Sequence, residues 1–166
     1  IEGNKLLSSD KLDHYFQDAI GRYYNPVFIR NQLLAIKKEY LKIGKLDIIM
    51  QEEIIIDKHN ITLRINISEG IQYRIKDINI IHLSAVDEKY IQREIVFNSG
   101  DIYNIDKIDL TRKRIFDSGL FSSVEILPAF IDKNLGLVNI NIKIRNYKSS
   151  SIEADFGFSE LSSWQN

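Results

Sequence analysis

Cysteine is absent from all 166 residues, which removes disulfide scaffolding and thiol chemistry together and leaves the compartment open. Proline occurs twice, at Pro26 and Pro128, and methionine and tryptophan once each. No stretch approaches the roughly 18 consecutive apolar residues that a transmembrane helix needs. Charge is also lacking: 22 basic against 23 acidic side chains leave a formal net charge of −1. Nucleic acid and anionic surfaces therefore gain no bulk electrostatic attraction from this chain. Catalytic signatures are missing as well. The sequence has no His-Glu-x-x-His, no Gly-x-Ser-x-Gly and no phosphate-binding glycine loop ending in Gly-Lys-Ser/Thr.

The remaining polar candidates have structural explanations. His14, His59 and His82 are far apart in sequence, on a predicted helix, a turn and a strand end. Glu52 and Glu53 are neighbours on a predicted strand, so they point to opposite faces and are poorly placed to share a substrate. Asp87 and Glu88 suit the first turn of a helix, where acids favour the dipole. The basic run Thr111-Arg112-Lys113-Arg114 is short, interleaved with acids and without an aromatic platform. It reads as a solvated helix face. No enzyme activity, metal, cofactor or nucleic-acid partner is expected.

What the chain does have is hydrophobic patterning, at 44% apolar and 27% charged residues. Ser8 or Ser9 can cap a helix carrying Leu12, Phe16 and Ala19 or Ile20, ended by Gly21. Asn25-Pro26 opens a longer helix with a stripe at Ile29, Leu33, Ile36, Tyr40 and Ile43, ended by Gly44. Residues 46–57 read as a strand. In residues 61–67, Ile61, Leu63, Ile65 and Ile67 alternate with Thr62, Arg64 and Asn66, which predicts a strand with one wet face.

The order then recurs. Residues 73–81 form a predicted strand whose period breaks at Asp77, a candidate bulge. Helices follow over 87–96 and about 104–118, the second with Ile105, Ile108 and Ile115 inward, Phe116 packed, and Gly119 as its stop. The strand from Ser122 to Phe130 contains Pro128, which confines it to an edge or end. Residues 137–145 alternate again through Val138, Ile140, Ile142 and Ile144.

These halves are copies. Gly21-x-x-Tyr24-Asn25 answers Gly100-x-x-Tyr103-Asn104, and Tyr40-x-x-x-Gly44 answers Ile115-x-x-x-Gly119. From tyrosine to glycine is 20 residues in the first copy and 16 in the second. The difference is about one helical turn. A repeat of about 75 residues follows, each copy an α+β unit of two helices on a small three-stranded mixed sheet. The connection at Gly70 is short and allows at most a limited hinge.

The markers resemble those of POTRA domains, the polypeptide-transport-associated modules of the Omp85 superfamily. They are Glu69-Gly70 followed by Tyr73-x-Ile75-x-x-Ile78-x-Ile80, Gly100-x-x-Tyr103, and Arg114-x-Phe116-Asp117-Ser118-Gly119-Leu120-Phe121-x-x-Val124. The first copy contributes Gly3-Asn4, Tyr24, Tyr40 and Gly44. The resemblance implies tandem POTRA-like units at 1–70, which lacks most of its first strand, and 71–146. Residues 147–166 would be a linker and the opening strand of a membrane barrel, making these the last two units before it. The chain begins at Ile1 and reads as a piece of a longer protein.

Such modules face the periplasm at the outer membrane. The resemblance implies that they receive unfolded outer-membrane or secreted proteins, dock accessory lipoproteins or other assembly-complex subunits, and feed their own C-terminal barrel. Exposed strand edges suit that task, because an extended peptide can add as a further strand. The candidate edges are Phe121, Ser122, Ser123, Val124, Glu125, Ile126 and Leu127 in the second copy. In the first copy they are Asp47, Ile48, Ile49, Met50, Gln51 and Glu52. Gly44, Gly70, Gly100, Gly119, Tyr24 and Tyr103 are read as structural turn and junction residues. A two-partner secretion transporter, a soluble two-domain interaction scaffold, and a nucleic-acid binder using residues 111–114 are the alternatives.

Overall fold

The computed structural model describes residues 1–82 and 88–147. The expected barrel strand at 152–159 lies outside the described residues.

In the first half, Ser8 caps α1 (Ser9–Asp13) by accepting a hydrogen bond from the Lys11 N–H. The helix does not run on as α-helix to Ala19. It tightens into a 3-10 segment, His14–Ala19. The tighter winding places the adjacent Tyr15 and Phe16 together against the core, and Ile20 is left 77% exposed. α2 (Pro26–Lys42) starts where the Asn25 side chain accepts from the N–H groups of Val27 and Phe28, both at 3.1 Å. It buries Ile29, Ile36 and Tyr40.

β1 (Ile49–Asp57) and β2 (Asn60–Ser68) form an antiparallel hairpin. This sheet is narrower than three strands. Among the described residues only Glu2 joins it, donating its N–H to Ile65 O (2.9 Å) and accepting from Ile67 N–H (2.8 Å). Leu12, Ile36, Tyr40, Ile48, Ile65 and Ile67 make the core. The alternation of β2 is kept along its length, but the core covers just its inner end. Ile65 and Ile67 are buried, whereas Ile61 is 46% exposed beside Ile56.

The second half is fuller. β3 (Arg74–His82), β4 (Phe121–Asp132) and β5 (Leu137–Asn146) form one sheet in the order β3-β5-β4. β3 runs parallel to β5 and β4 antiparallel to it. The register shifts between Ile75 and Ile78, and the Asp77 N–H donates to Asn139 Oδ1 at 2.9 Å, so the irregularity falls where the sequence period breaks. Val138, Ile140, Ile142 and Ile144 are all buried. Each such side chain contributes about 1.5–3 kcal/mol of transfer free energy.

Above the sheet lie α3 (Glu88–Glu94) and α4 (Ile105–Asp117). α3 is shorter than the 87–96 expected. After it the chain turns so that the Val96 N–H donates to the buried Thr111 Oγ1 at 3.1 Å. Thr111 therefore belongs to the core rather than to a solvated basic face. α4 is capped by Asn104, which accepts from the Asp106 N–H at 2.9 Å. Its inward residues are Ile108, Thr111 and Ile115. Phe116 is not packed as expected: it is 51% exposed, because the buried stripe 108, 111, 115 leaves it on the adjacent flank.

The two halves are braced across Gly70. Gly44 O accepts from the Tyr73 N–H (2.9 Å), Ile43 O from Gln72 Nε2 (2.9 Å) and Gly70 O from Lys45 Nζ (2.8 Å). The Tyr73 hydroxyl donates to Asp47 Oδ2, and Leu46 packs onto the second core. Lys38 and Lys42 reach Asp106 at 3.4 and 3.5 Å.

Candidate functional site

The sheet edges are not equally open. In the second sheet, the outer side of β3 is partly occupied by residues 99–102. The Ile75 N–H donates to Asp101 O (2.8 Å), the Gly100 N–H donates to Ile75 O (2.7 Å), and the Ser99 hydroxyl donates to Lys76 O. β4 pairs with β5 on one side, and among the described residues no strand covers its other side. In the hairpin, β1 has the corresponding open side, since Glu2 bridges β2.

The residues of β4 divide by face. Phe121 and Ile126 are buried, Val124 is half-buried, and Ser123, Glu125 and Leu127 are exposed. Ser122 holds the start of the strand, its hydroxyl donating to Arg145 O and Asn146 O at 3.2 and 2.9 Å. The register shifts between Phe121 and Ser123, as at a bulge. Pro128 pairs opposite Ile140. Because proline offers no N–H, an added strand finds a complete set of donors only up to Leu127.

Beside this edge runs a groove of about 490 Å³, lined by Asp109, Arg112, Lys113 and Phe116 of α4 and by Ser123 and Val124 of β4. The four helix residues are spaced three, four and seven apart, so they form a single stripe of α4 turned toward β4. Sequence reasoning took Phe116 for a core residue and missed this stripe. No local signal marks it: the inward face is completed by Thr111, which answers the distant Val96 N–H, and only with that face filled does Phe116 fall outside the core stripe.

The first-copy candidates are more scattered. Ile49, Gln51 and Glu52 are exposed on β1 and Met50 is half-buried. Asp47 and Ile48 precede the strand and are not edge residues. The chain is still turning out of α2 there. Asp47 is held by the Tyr73 hydroxyl, and Ile48 is 7% exposed in the core. Gly44, Gly70, Gly100 and Gly119 all have left-handed φ, at +81°, +64°, +88° and +73°. Tyr103 is buried at 3% exposure, whereas its counterpart Tyr24 is 37% exposed.

Electrostatics concentrate away from the groove, at the bases of the units. Burial alone raises the Glu69 pKa, but the N–H groups of Leu6 and Lys5 and the Tyr40 hydroxyl all donate to Oε1. Together they hold the carboxyl below its ordinary value. Burial and the Asp47 carboxylate push Tyr73 up to about 12. Along the groove the charges are paired: Arg112 with Asp109 at 2.6 Å and Lys113 with Asp117 at 2.5 Å. Among the described residues no group of His, Asp or Glu side chains could hold a metal ion, and no helix is long and apolar enough to cross a membrane.

Comparison with known proteins agrees with this architecture. The family described as POTRA, surface antigen variable number repeat, matches residues 1–70 and again residues 73–146. The outer membrane protein assembly factor BamA of Neisseria meningitidis serogroup B is 25% identical over 139 residues, which is 81% of this chain and 17% of that protein. BamA of Neorickettsia risticii is 28% identical over 86 residues, 52% of this chain and 12% of that protein. The chain thus spans less than a fifth of either relative. The solved structure of Haemophilus influenzae BamA POTRA3-5 superposes with a TM-score of 0.74 at 17% identity, covering 83% of this chain and 56% of that one. Haemophilus ducreyi BamA lacking POTRA domains 1-3 gives 0.76 at 15% identity, covering 89% and 28%. With a repeated helix-pair-and-sheet unit matched twice by one family model, the chain belongs to the POTRA family, as two tandem units of the Omp85/BamA superfamily.

Proposed function

We propose that this chain is a periplasmic binding and relay module of an outer-membrane protein assembly factor, and that β4 receives unfolded client segments as an added strand. The observation that carries this reading is the open edge of β4 lying beside the α4 groove. Unpaired main-chain groups give affinity without demanding one sequence, which suits a receiver of many clients. The similarity to BamA proteins supports a place in such a machine. In this reading residues 1–70 and 71–146 are the last two units before the barrel, and residues 147–166 lead into it. Other exposed faces dock accessory lipoproteins or further subunits of the assembly complex. The module is non-catalytic.

The test is chemical-shift mapping of the labelled chain with unfolded peptides copied from barrel strands. Backbone amides within 121–127 should move, in a saturable way. Shifts restricted to the outer faces of the helices, with β4 unmoved, would sink strand addition.

A further inference from the structure

Strand addition by itself explains affinity but not choice, since every peptide has the same main chain. The α4 groove supplies the missing element. Two residues directly opposite each other in neighbouring strands project their side chains to the same face. A guest residue placed opposite Val124 on the open side of β4 must therefore point where Val124 points. That direction is the helix side, because Val124 packs against the core beneath α4. The guest side chain enters the groove and meets the ring of Phe116. Guest residues on either side of it point away, toward the face that carries Ser123 and Glu125.

The chemistry of the groove sets what fits. Its floor is Val124, half-buried, and one wall is Phe116, at 51% exposure. An aromatic ring left half in water beside an apolar floor gains from being covered. The charged residues on the same stripe have no unpaired sign to offer. Arg112 is neutralised by Asp109, and Lys113 by Asp117. With each charge on the stripe already met by one of opposite sign, the groove offers a guest carboxylate or ammonium little net attraction, so an uncharged side chain suits it best. The volume of about 490 Å³ admits a large side chain.

We propose that Phe116 is a specificity-determining residue: with Val124 it forms a seat that takes one large apolar side chain of the strand docked on β4, and rejects charged ones. This rests on the strand-addition reading above. It adds the position at which the docked sequence is read.

The test uses the 166-residue chain and a set of strand-forming peptides that differ at a single guest position, occupied by Phe, Leu, Ala, Asp or Lys. Affinity is measured by fluorescence anisotropy at low and high salt, with amide shifts recorded in parallel. The Phe and Leu guests should bind about ten-fold more tightly than Ala, Asp or Lys, a difference of about 1.4 kcal/mol. The ranking should hold when salt is raised. Phe116→Ala should flatten it by weakening the Phe and Leu guests while leaving the Ala guest unchanged, and Phe116→Leu should keep part of it. Because Phe116 is half exposed, both variants should keep their thermal midpoints, which is checked first. Equal binding of all five guests, with β4 amides shifting, would overturn the seat and leave strand addition standing. A preference for Asp or Lys that fades with salt would overturn it too. Absence of any β4 shift with any peptide would remove both.

Discussion

Replacing Gly44 by alanine asks how tightly the two units are joined. Gly44 has φ +81°, and a Cβ built there lies 2.8 Å from Ile102 Cγ2 and 3.0 Å from Tyr73 O. Two costs then add. The left-handed backbone costs a non-glycine residue about 1–2 kcal/mol. The crowding is of the kind that makes overpacked sites cost about 1–3 kcal/mol more. The Tyr73 carbonyl has little freedom to retreat, because it accepts the Tyr103 N–H at 3.0 Å. Gly119 supplies the control. It ends the equivalent helix with φ +73°, but its added Cβ meets nothing within 4 Å. Gly119→Ala should therefore lose only the backbone cost. In urea unfolding Gly44→Ala should lose roughly 2–5 kcal/mol and Gly119→Ala roughly 1–2 kcal/mol. Ile102→Ala removes the nearest of the obstructing groups, so the double variant with Gly44→Ala should be less destabilised than the sum of the singles. If Gly44→Ala costs no more than Gly119→Ala, the close approach at the joint is not what fixes glycine there.

Two pH experiments probe the buried polar groups. Glu69 has a lowered pKa, so its share of stability is present above the ordinary carboxylate range and is lost as pH falls through the folded value. Glu69→Gln should cost about 1–3 kcal/mol near neutrality, and the gap from the parent should close in acid; a gap unchanged with pH would refute the charged role. Burial, with the Asp47 and Asp109 carboxylates respectively, pushes Tyr73 and Tyr103 up to about 12, and Tyr40 is raised further. Because these folded values exceed the unfolded value of about 10, the stability they contribute is full below that pH. It is lost as pH climbs from there through about 12. Thermal midpoints should decline over that interval while tyrosinate absorbance reports the delayed ionisation. Ionisation of all eight tyrosines near pH 10 with the fold intact would contradict it.

Much of the fold was legible because the signals were local. The Asn25-Pro26 and Asn104 caps, the glycine stops, and the alternation through Val138, Ile140, Ile142 and Ile144 each state their structure within a few residues. The repeat was legible because it recurs at matched markers. What escaped depended on contacts distant in sequence. Asp47 leaves the strand pattern for Tyr73, 26 residues on, and no periodicity announces that bond. Thr111 sits in a basic run yet is buried, because it answers the Val96 N–H. Ile61 follows the alternation faithfully, but burial depends on how far the overlying layer reaches. For the candidate site, the edge could be argued from Pro128 and the hairpin order. The groove beside it could not, since Phe116 becomes a wall only when α4 is laid against β4.

The joint also bears on how such a chain can be rearranged. By sequence, the natural place to cut is Gly70, where one repeat ends and the next begins. Yet Leu46, from the first repeat, is part of the second core, and Ile102, from the second, presses on Gly44 of the first. A shuffled array spliced at Gly70 would carry each unit away without the side chain its neighbour lends it. Exchange between homologous arrays should therefore succeed when Gly44, Leu46, Asp47, Tyr73 and Ile102 travel together, so that the heritable piece is the seam with its two flanks rather than the single repeat.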